Sequence, residues 1–331
     1  MGVFQQFARP VILAAAKSDG LRRTAERMPV TREVVHRFVP GETVEHALTS
    51  VAGLRDSRRF VSVDYLGEDV TDADAADATV RAYTDLLDAL GQRGEDQAGP
   101  RQLEVSLKLS ALGQALPRDG EKIALENAHL ICTKAQAAGA WVTVDAEDHT
   151  TTDSTLSIVR ELRGDFPWLA TVLQAYLKRT EADCREFAGS RVGSSRERSS
   201  AGARIRLCKG AYDEPAAVAY RDADEVTDSY LRCLRILMAG EGYPMVASHD
   251  PAIVEAVPTM AREFGLGVDD FEYQMLYGIR DAEQRRLAEE GNHVRVYVPF
   301  GTQWYGYFVR RLAERPANLT FFLRALAERR H

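Results

Sequence analysis

The chain has 331 residues, 45% hydrophobic and 27% charged, enough apolar material for a sizeable core and unlike a disordered or low-complexity polypeptide. With 49 acidic against 42 basic residues its net charge is −7, so a nucleic-acid footprint, which needs a basic face, is not supported. No apolar run reaches the roughly 18 residues of a membrane span. The opening MGVFQQFARPVILAAAKSDG lacks the basic start and cleavage pattern of an export signal, and a cytoplasmic protein is expected.

Residues 1–59 carry helical segments, ETVEHALTSVAGLRDSRR being the clearest, and are expected to pack on one end of the remaining chain. From residue 60 onward short β-branched runs alternate with longer helical patterns, which sets a second unit at 60–331. The runs are FVSVDY (60–65), LEVSLKL (103–109), AWVTVD (140–145), LATVLQAY (169–176), RIRLC (204–208), PMVAS (244–248), FEYQML (271–276) and VRVYVP (294–299). Between them TDADAADATVRAYTDLLDALG and DGEKIALENAHLICTKAQAAG open on acids and close on glycine, as helices do, and later segments show the same signals. Eight strands each followed by a helix predict parallel strands closing into a (βα)₈ TIM-type barrel, with a doubly wound open sheet as the alternative.

Two stretches read as connections: GQRGEDQAGPRQ (91–102), and AGSRVGSSRERSSAGAR (188–204), a Gly-, Ser- and Arg-rich mobile loop. Cys132, Cys184, Cys208 and Cys233 stand 52, 24 and 25 residues apart, which makes no CxxC pair and no disulfide or zinc framework, so reduced thiols are expected.

In such a barrel the chemistry lies at the C-terminal strand ends. There the sequence places Lys108, Asp145 with Glu147, Asp148 and His149, Gln174, Arg206, Lys209, Ser248 with His249 and Asp250, and Tyr297. DAEDH and SHD raise a divalent metal and hydrolysis, but their spacing fits no metal motif and Lys108, Arg206, Lys209, Arg310 and Arg311 would crowd a cation; no metal is expected. An Asp145–Arg206 ion pair is the bland reading of those two residues. GLGVDD (265–270) lacks the third glycine of a dinucleotide fingerprint and leads into a strand, so no Rossmann site is supported.

After the last strand comes YFVRRLAERPAN (307–318). On a helix Arg310 and Arg311 point about 100° apart, with Glu314 at i+4 and i+3 from them and able to hold either guanidinium. Pro316 ends this helix and Asn318 caps a final amphipathic one, LTFFLRALAERR. Two guanidinium forks beside a barrel mouth suit bidentate capture of a small carboxylate, and Lys108 adds a point charge.

These residues resemble the proline dehydrogenases, monofunctional and bacterial, and the proline dehydrogenase domain of bifunctional proline-utilisation flavoenzymes. The resemblance runs over residues 55–320 through DYLGE, VSLKLSAL, VDAED, LQAYLKR, RLCKGAYDE, SHD, EYQMLYG, VYVPFG and YFVRRLAER. It implies a distorted barrel holding FAD at its mouth under the last helix. Arg310, Arg311 and Lys108 are then expected to grip the carboxylate of L-proline, with Tyr297 and Leu276 around the ring and Glu314 positioning an arginine. Asp145, Ala146, Gln174, Arg206, Lys209, Gly210, Ala211, Ser248 and His249 are expected at the cofactor, Arg206 near flavin N5 and held by Asp145. The implied reaction is hydride transfer from proline C5 to flavin N5, giving Δ1-pyrroline-5-carboxylate on the way to glutamate. The resemblance further implies a membrane quinone as electron acceptor, reached through peripheral contact, and the pyrroline-5-carboxylate dehydrogenase as an expected partner. Tyr297 should crowd a 4-hydroxyl group, which favours proline over hydroxyproline. A metal-dependent barrel hydrolase, a hydroxyproline-oxidising relative and a non-turning-over flavin or proline sensor are the competing readings.

Overall fold

The computed structural model describes residues 35–91, 103–189 and 202–314. The helices expected before residue 35, most of both connections and the final helix expected at 319–330 lie outside the described residues, as do Pro316 and Asn318. The strands are β1 (Phe60–Tyr65), β2 (Leu103–Leu107), β3 (Trp141–Val144), β4 (Ala170–Gln174), β5 (Arg204–Cys208), β6 (Tyr243–Ala247), β7 (Glu272–Leu276) and β8 (Val294–Phe300). They form a closed barrel in sequence order, all pairs parallel, and β8 returns to β1 with Phe60 opposite Arg295 and Tyr65 opposite Phe300.

Side chains alternate across a strand, so each strand here serves two environments. Val61, Val63, Leu103, Val105, Leu107, Val142, Val144, Ile205, Leu207, Val294, Val296 and Val298 are buried in one apolar core shared with the helices. The alternate positions are polar: Ser62 and Asp64, Glu104 and Ser106, Arg204 and Arg206, and Glu272 and Gln274 are all buried. A parallel barrel covered by helices buries both strand faces. Here the inner face is filled by an ionic and hydrogen-bonded column instead of aliphatic layers.

The helices are α1 (Val44–Asp56), α2 (Ala73–Gly91), α3 (Gly120–Ala137), α4 (Thr152–Asp165), α5 (Thr180–Ala188), α6 (Ala223–Ala239), α7 (Pro251–Phe264), α8 (Asp281–Glu289) and α9 (Trp304–Glu314). Their ends obey local chemistry. Asp222 caps α6 by accepting from the N–H groups of Asp224 and Glu225, and Asp250 caps α7 ahead of Pro251. Gly265, at φ 67°, closes α7 in the left-handed region.

One element explains where the last helix goes. Helix α1 packs along β1 and β8 and sends Ala47, Val51 and Leu54 into the main core, covering the wall beside β8. Helix α9 lies instead in a second cluster, where Trp304, Tyr307, Phe308 and Val309 meet Val35, Phe38, Val39 and Leu66, with Leu276 and Tyr297 against them. The last described helix therefore sits at the tips of β7 and β8.

Strand β2 is shorter than its sequence suggests. The run to 109 stops at Leu107, and Leu109–Leu112 turns into a 3-10 helix because Ser110 is drawn to Glu147 by both its N–H and its hydroxyl.

Candidate active site

The strand tips build the site from several directions. Lys108, just past β2, donates to Asp64 Oδ2 at 2.7 Å and stands 3.9 Å from Asp145 Oδ2. Tyr297, from β8, donates its hydroxyl to Asp145 Oδ2 at 2.8 Å and lies 3.4 Å from Lys108 Nζ. Arg206, from β5, donates to Asp145 Oδ1 at 2.7 Å. Thus Lys108, Asp145, Arg206 and Tyr297 form one hydrogen-bonded group, together with Asp64.

Burial works against the charge of Lys108, but Asp64, Asp145 and Glu68 outweigh it and hold the ammonium protonated above the usual lysine range. Burial, reinforced by Asp145 and Asp64, keeps the Tyr297 phenol neutral far above its ordinary pKa. Arg206 likewise stays charged against burial because Asp145 and Glu104 face it.

Arg310 reaches from α9 to the loop after β1, where both terminal nitrogens engage the Glu68 carboxylate, Nη1 at 3.0 Å from Oε2. Among the described side chains a carboxylate that grips Arg310 is Glu68, a partner that local sequence spacing does not suggest. Arg311 and Glu314 belong to α9, but their side chains lie outside the described residues.

The remaining expected residues ring the same mouth. His249 accepts the Leu276 N–H on Nε2 at 2.9 Å, which assigns the proton to Nδ1 in the neutral ring and ties the tips of β6 and β7. Lys209 pairs with Asp250 at 2.7 Å and donates to Thr227, while Ser248 Oγ accepts the Asp250 N–H. Gly210 takes φ 108°, and a Cβ there would overlap the Tyr176 ring, so glycine is required at this turn. Ala146 and Ala211 are half-buried beside Asp145 and Tyr212. Gln174 is nearly buried at the tip of β4, and its amide oxygen has no partner among the described residues.

The acids and histidines of DAEDH and SHD do not converge. Asp145 serves Arg206 and Tyr297, Glu147 serves Ser110, Asp148 caps Thr150, His149 pairs with Glu214 and Asp250 with Lys209. Among the described residues no three of these side-chain types are grouped to hold a metal ion.

Glu147 lines a recess with Glu68, Ser110, Gln114 and Tyr212, and burial pushes its carboxyl up to about 7. In the unfolded chain the same group ionises near 4.5. Between those values the folded protein holds a proton that the unfolded chain has lost. Glu147 therefore stabilises fully below the window, and the contribution is lost as pH rises through about 7. Wild type should lose on the order of 3 kcal/mol of urea stability across this window. Glu147→Gln should show a flatter profile; parallel curves would exclude Glu147 as the titrating group.

Sequence reasoning missed Asp64, Glu68, Glu104 and Gln274. For all but Glu68 the signal is present as polar residues at every second position of strands otherwise rich in valine and leucine.

Comparison with known proteins places this arrangement. A family profile described as proline dehydrogenase matches residues 47–324. Proline dehydrogenase 1 of Bacillus subtilis subsp. natto is 35% identical over 321 residues, covering 97% of this chain and 99% of that protein. The proline dehydrogenase of Deinococcus radiodurans is 35% identical over 326 residues, covering 98% and 99%. Among solved structures, proline utilization A from Bdellovibrio bacteriovorus, inactivated by N-propargylglycine, superposes with a TM-score of 0.77 at 22% identity, covering 94% of this chain and 36% of that one. The structural likeness carries the fold.

Proposed function

Because the chain belongs to the proline dehydrogenase family, we propose that it oxidises L-proline to Δ1-pyrroline-5-carboxylate, with FAD as resident hydride acceptor and a quinone as the onward acceptor. The observation that carries this reading is the meeting of Lys108, Asp145, Arg206 and Tyr297 at the strand tips, with Arg310 brought over them from the last described helix.

The residues present suit a flavin. Gln174 offers a buried acceptor that lacks a donor among the described residues, as an isoalloxazine N–H would supply. Lys209, Gly210 and Ala211, with Ser248 and His249, would hold the ribityl, phosphate and adenosine parts, and Ala146 and Arg206 the ring. FAD supplies the chemistry of accepting a hydride.

The chain's own work is orientation and charge. Arg310 already presents its fork to a carboxylate, and the proline carboxylate is a chemically equal partner, seconded by Lys108. Arg311 is proposed to join this grip and Glu314 to position an arginine. Leu276 and Tyr297 would wall the pyrrolidine ring. Tyr297 is tethered through its hydroxyl to Asp145, so it yields little room to a 4-hydroxyl, which favours proline. Asp145 spans Arg206 and Tyr297 and so fixes donor and wall relative to one another. Among the described residues no helix is long and apolar enough to cross a membrane, and we propose peripheral contact for electron delivery. The pyrroline-5-carboxylate dehydrogenase is the proposed next enzyme.

Purified protein should be yellow, and proline should bleach it in the absence of oxygen. A colourless preparation that takes up no FAD would overturn the reading.

A further inference from the structure

Resting on that reading, a deeper feature concerns Arg206. Its Nε donates to Gln274 at 2.5 Å, Nη1 to Ser106 at 2.8 Å and Asp145 at 2.7 Å, and Nη2 to Ser62 at 3.1 Å and Glu104 at 2.7 Å. Every N–H of the guanidinium is thereby matched to an acceptor inside the barrel. Strands β2 and β5 are not neighbours in the sheet, so the bond from Arg206 to Glu104 crosses the lumen.

Glu104 is fully buried, and its second oxygen takes Arg204 Nη2 at 2.6 Å, with Arg295 Nε 3.9 Å away. Arg204 stacks 3.6 Å over the Trp141 ring. Glu104 lies on the same strand face as Ser106 and Lys108, two and four residues before them, one layer further from the mouth. The column is balanced: Lys108, Arg204, Arg206 and Arg295 face Asp64, Glu104, Asp145 and Glu272.

We propose that Glu104 is a positioning residue for the redox centre: it anchors Arg206 from beneath, opposite Asp145, and its charge sets the electrostatic potential at the strand tips. Without Glu104 the Nη2 group keeps its longer bond to Ser62, 3.1 Å, and the guanidinium has one carboxylate, Asp145 at Nη1. Held by both carboxylates it is fixed at both Nη atoms, in height and in plane. Removing the negative charge of Glu104 leaves the column with an excess cation, which stabilises a centre that gains negative charge on reduction.

The test uses the full chain with Glu104→Gln, which keeps an acceptor for Arg206 but removes the charge. The flavin reduction equilibrium should shift toward the reduced form at least tenfold, about 30 mV for a two-electron couple. In the FAD-free full chain, the Arg206 side-chain N–H groups should exchange faster than in wild type by NMR. A folded, flavin-loaded variant with wild-type potential and unchanged exchange overturns the proposal. Should Glu104→Gln fail to fold, Glu104→Leu with Arg204→Met restores the charge balance and removes the acceptor for Arg206 Nη2 as well. It should lower kcat several-fold at unchanged KM and speed Arg206 exchange; wild-type kcat and exchange would overturn the proposal. A wild-type protein that binds no FAD refutes the functional reading instead, and the exchange measurement still decides the role of Glu104.

Discussion

Arg310→Met is expected to lower kcat/KM for proline at least thirtyfold, chiefly through KM. Truncating one partner of a hydrogen-bonded charge pair costs about 2–5 kcal/mol, and each 1.4 kcal/mol is a factor of ten. Burial works against the charge of Arg310, but Glu68 and Tyr212 outweigh it, so the guanidinium stays charged at any working pH. Methionine keeps the apolar stem and leaves the packing of Trp304, Tyr307, Phe308 and Val309 in place, so the helix should remain docked. What changes is electrostatic on two counts. The substrate carboxylate would lose a fork, and Glu68, without the Arg310 fork to offset it, would add negative charge near it. Glu68→Gln added to Arg310→Met should therefore recover part of the loss, and Arg310→Lys should recover less than a full fork provides. Steady-state kinetics with a dye acceptor, paired with a proline titration of the flavin spectrum, measures both. A KM within threefold of wild type would remove Arg310 from the carboxylate site.

Whatever local periodicity encodes is legible in the sequence. Runs such as RIRLC and VRVYVP are strands because β-branched and aliphatic residues recur on the face that meets the helices, and Asp250 announces a helix start by residue type alone. The helical stretch that the sequence suggests from Asp213, by contrast, begins only at Ala223, capped by Asp222. Pairing across the closed barrel is not legible. Glu68 and Arg310 are separated by 242 residues and meet because β1 closes on β8 and α9 folds back over the tips. No i+4 pattern reports such a contact, because helical spacing reports partners within a turn and Glu68 is far away in sequence. Strand β2 reads too long for the same reason, since the residue that ends it is Glu147 from another strand end. The column of Ser62, Glu104, Arg206, Gln274 and Arg295 is visible in outline. Polar residues at alternate positions of strands buried on both faces require partners in the lumen, and only the closed geometry reveals which ones.

Glu272→Ala should destabilise the protein by about 3–5 kcal/mol, the usual cost of leaving a buried charge without its counter-ion. Arg295 has no exposed surface; its Nε lies 2.7 Å from Glu272 Oε1 and Nη2 3.0 Å from Oε2, while Nη1 donates to the Val61 carbonyl. It cannot escape by losing its proton, because a guanidinium keeps its charge in a protein interior even when its counter-ion is removed. The alanine also removes the oxygen acceptor of the Gln274 amide, leaving it Met245 Sδ at 3.1 Å, and the oxygen of that amide holds Arg206 Nε. Folded domains are stable by only about 5–15 kcal/mol in all, so the loss should show as a large fall in the urea midpoint. The remedy separates charge from packing. Glu272→Gln combined with Arg295→Met removes both ions and should be far more stable than Glu272→Ala alone, since a buried pair replaced together by well-packed neutral groups is often close to neutral. A Glu272→Ala protein within about 1 kcal/mol of wild type, below that range, would mean that water or Glu104 compensates Arg295. The column would then be a collection of separate pairs, and the coupling from Glu272 through Gln274 to Arg206 would carry no weight in holding the guanidinium beneath the site.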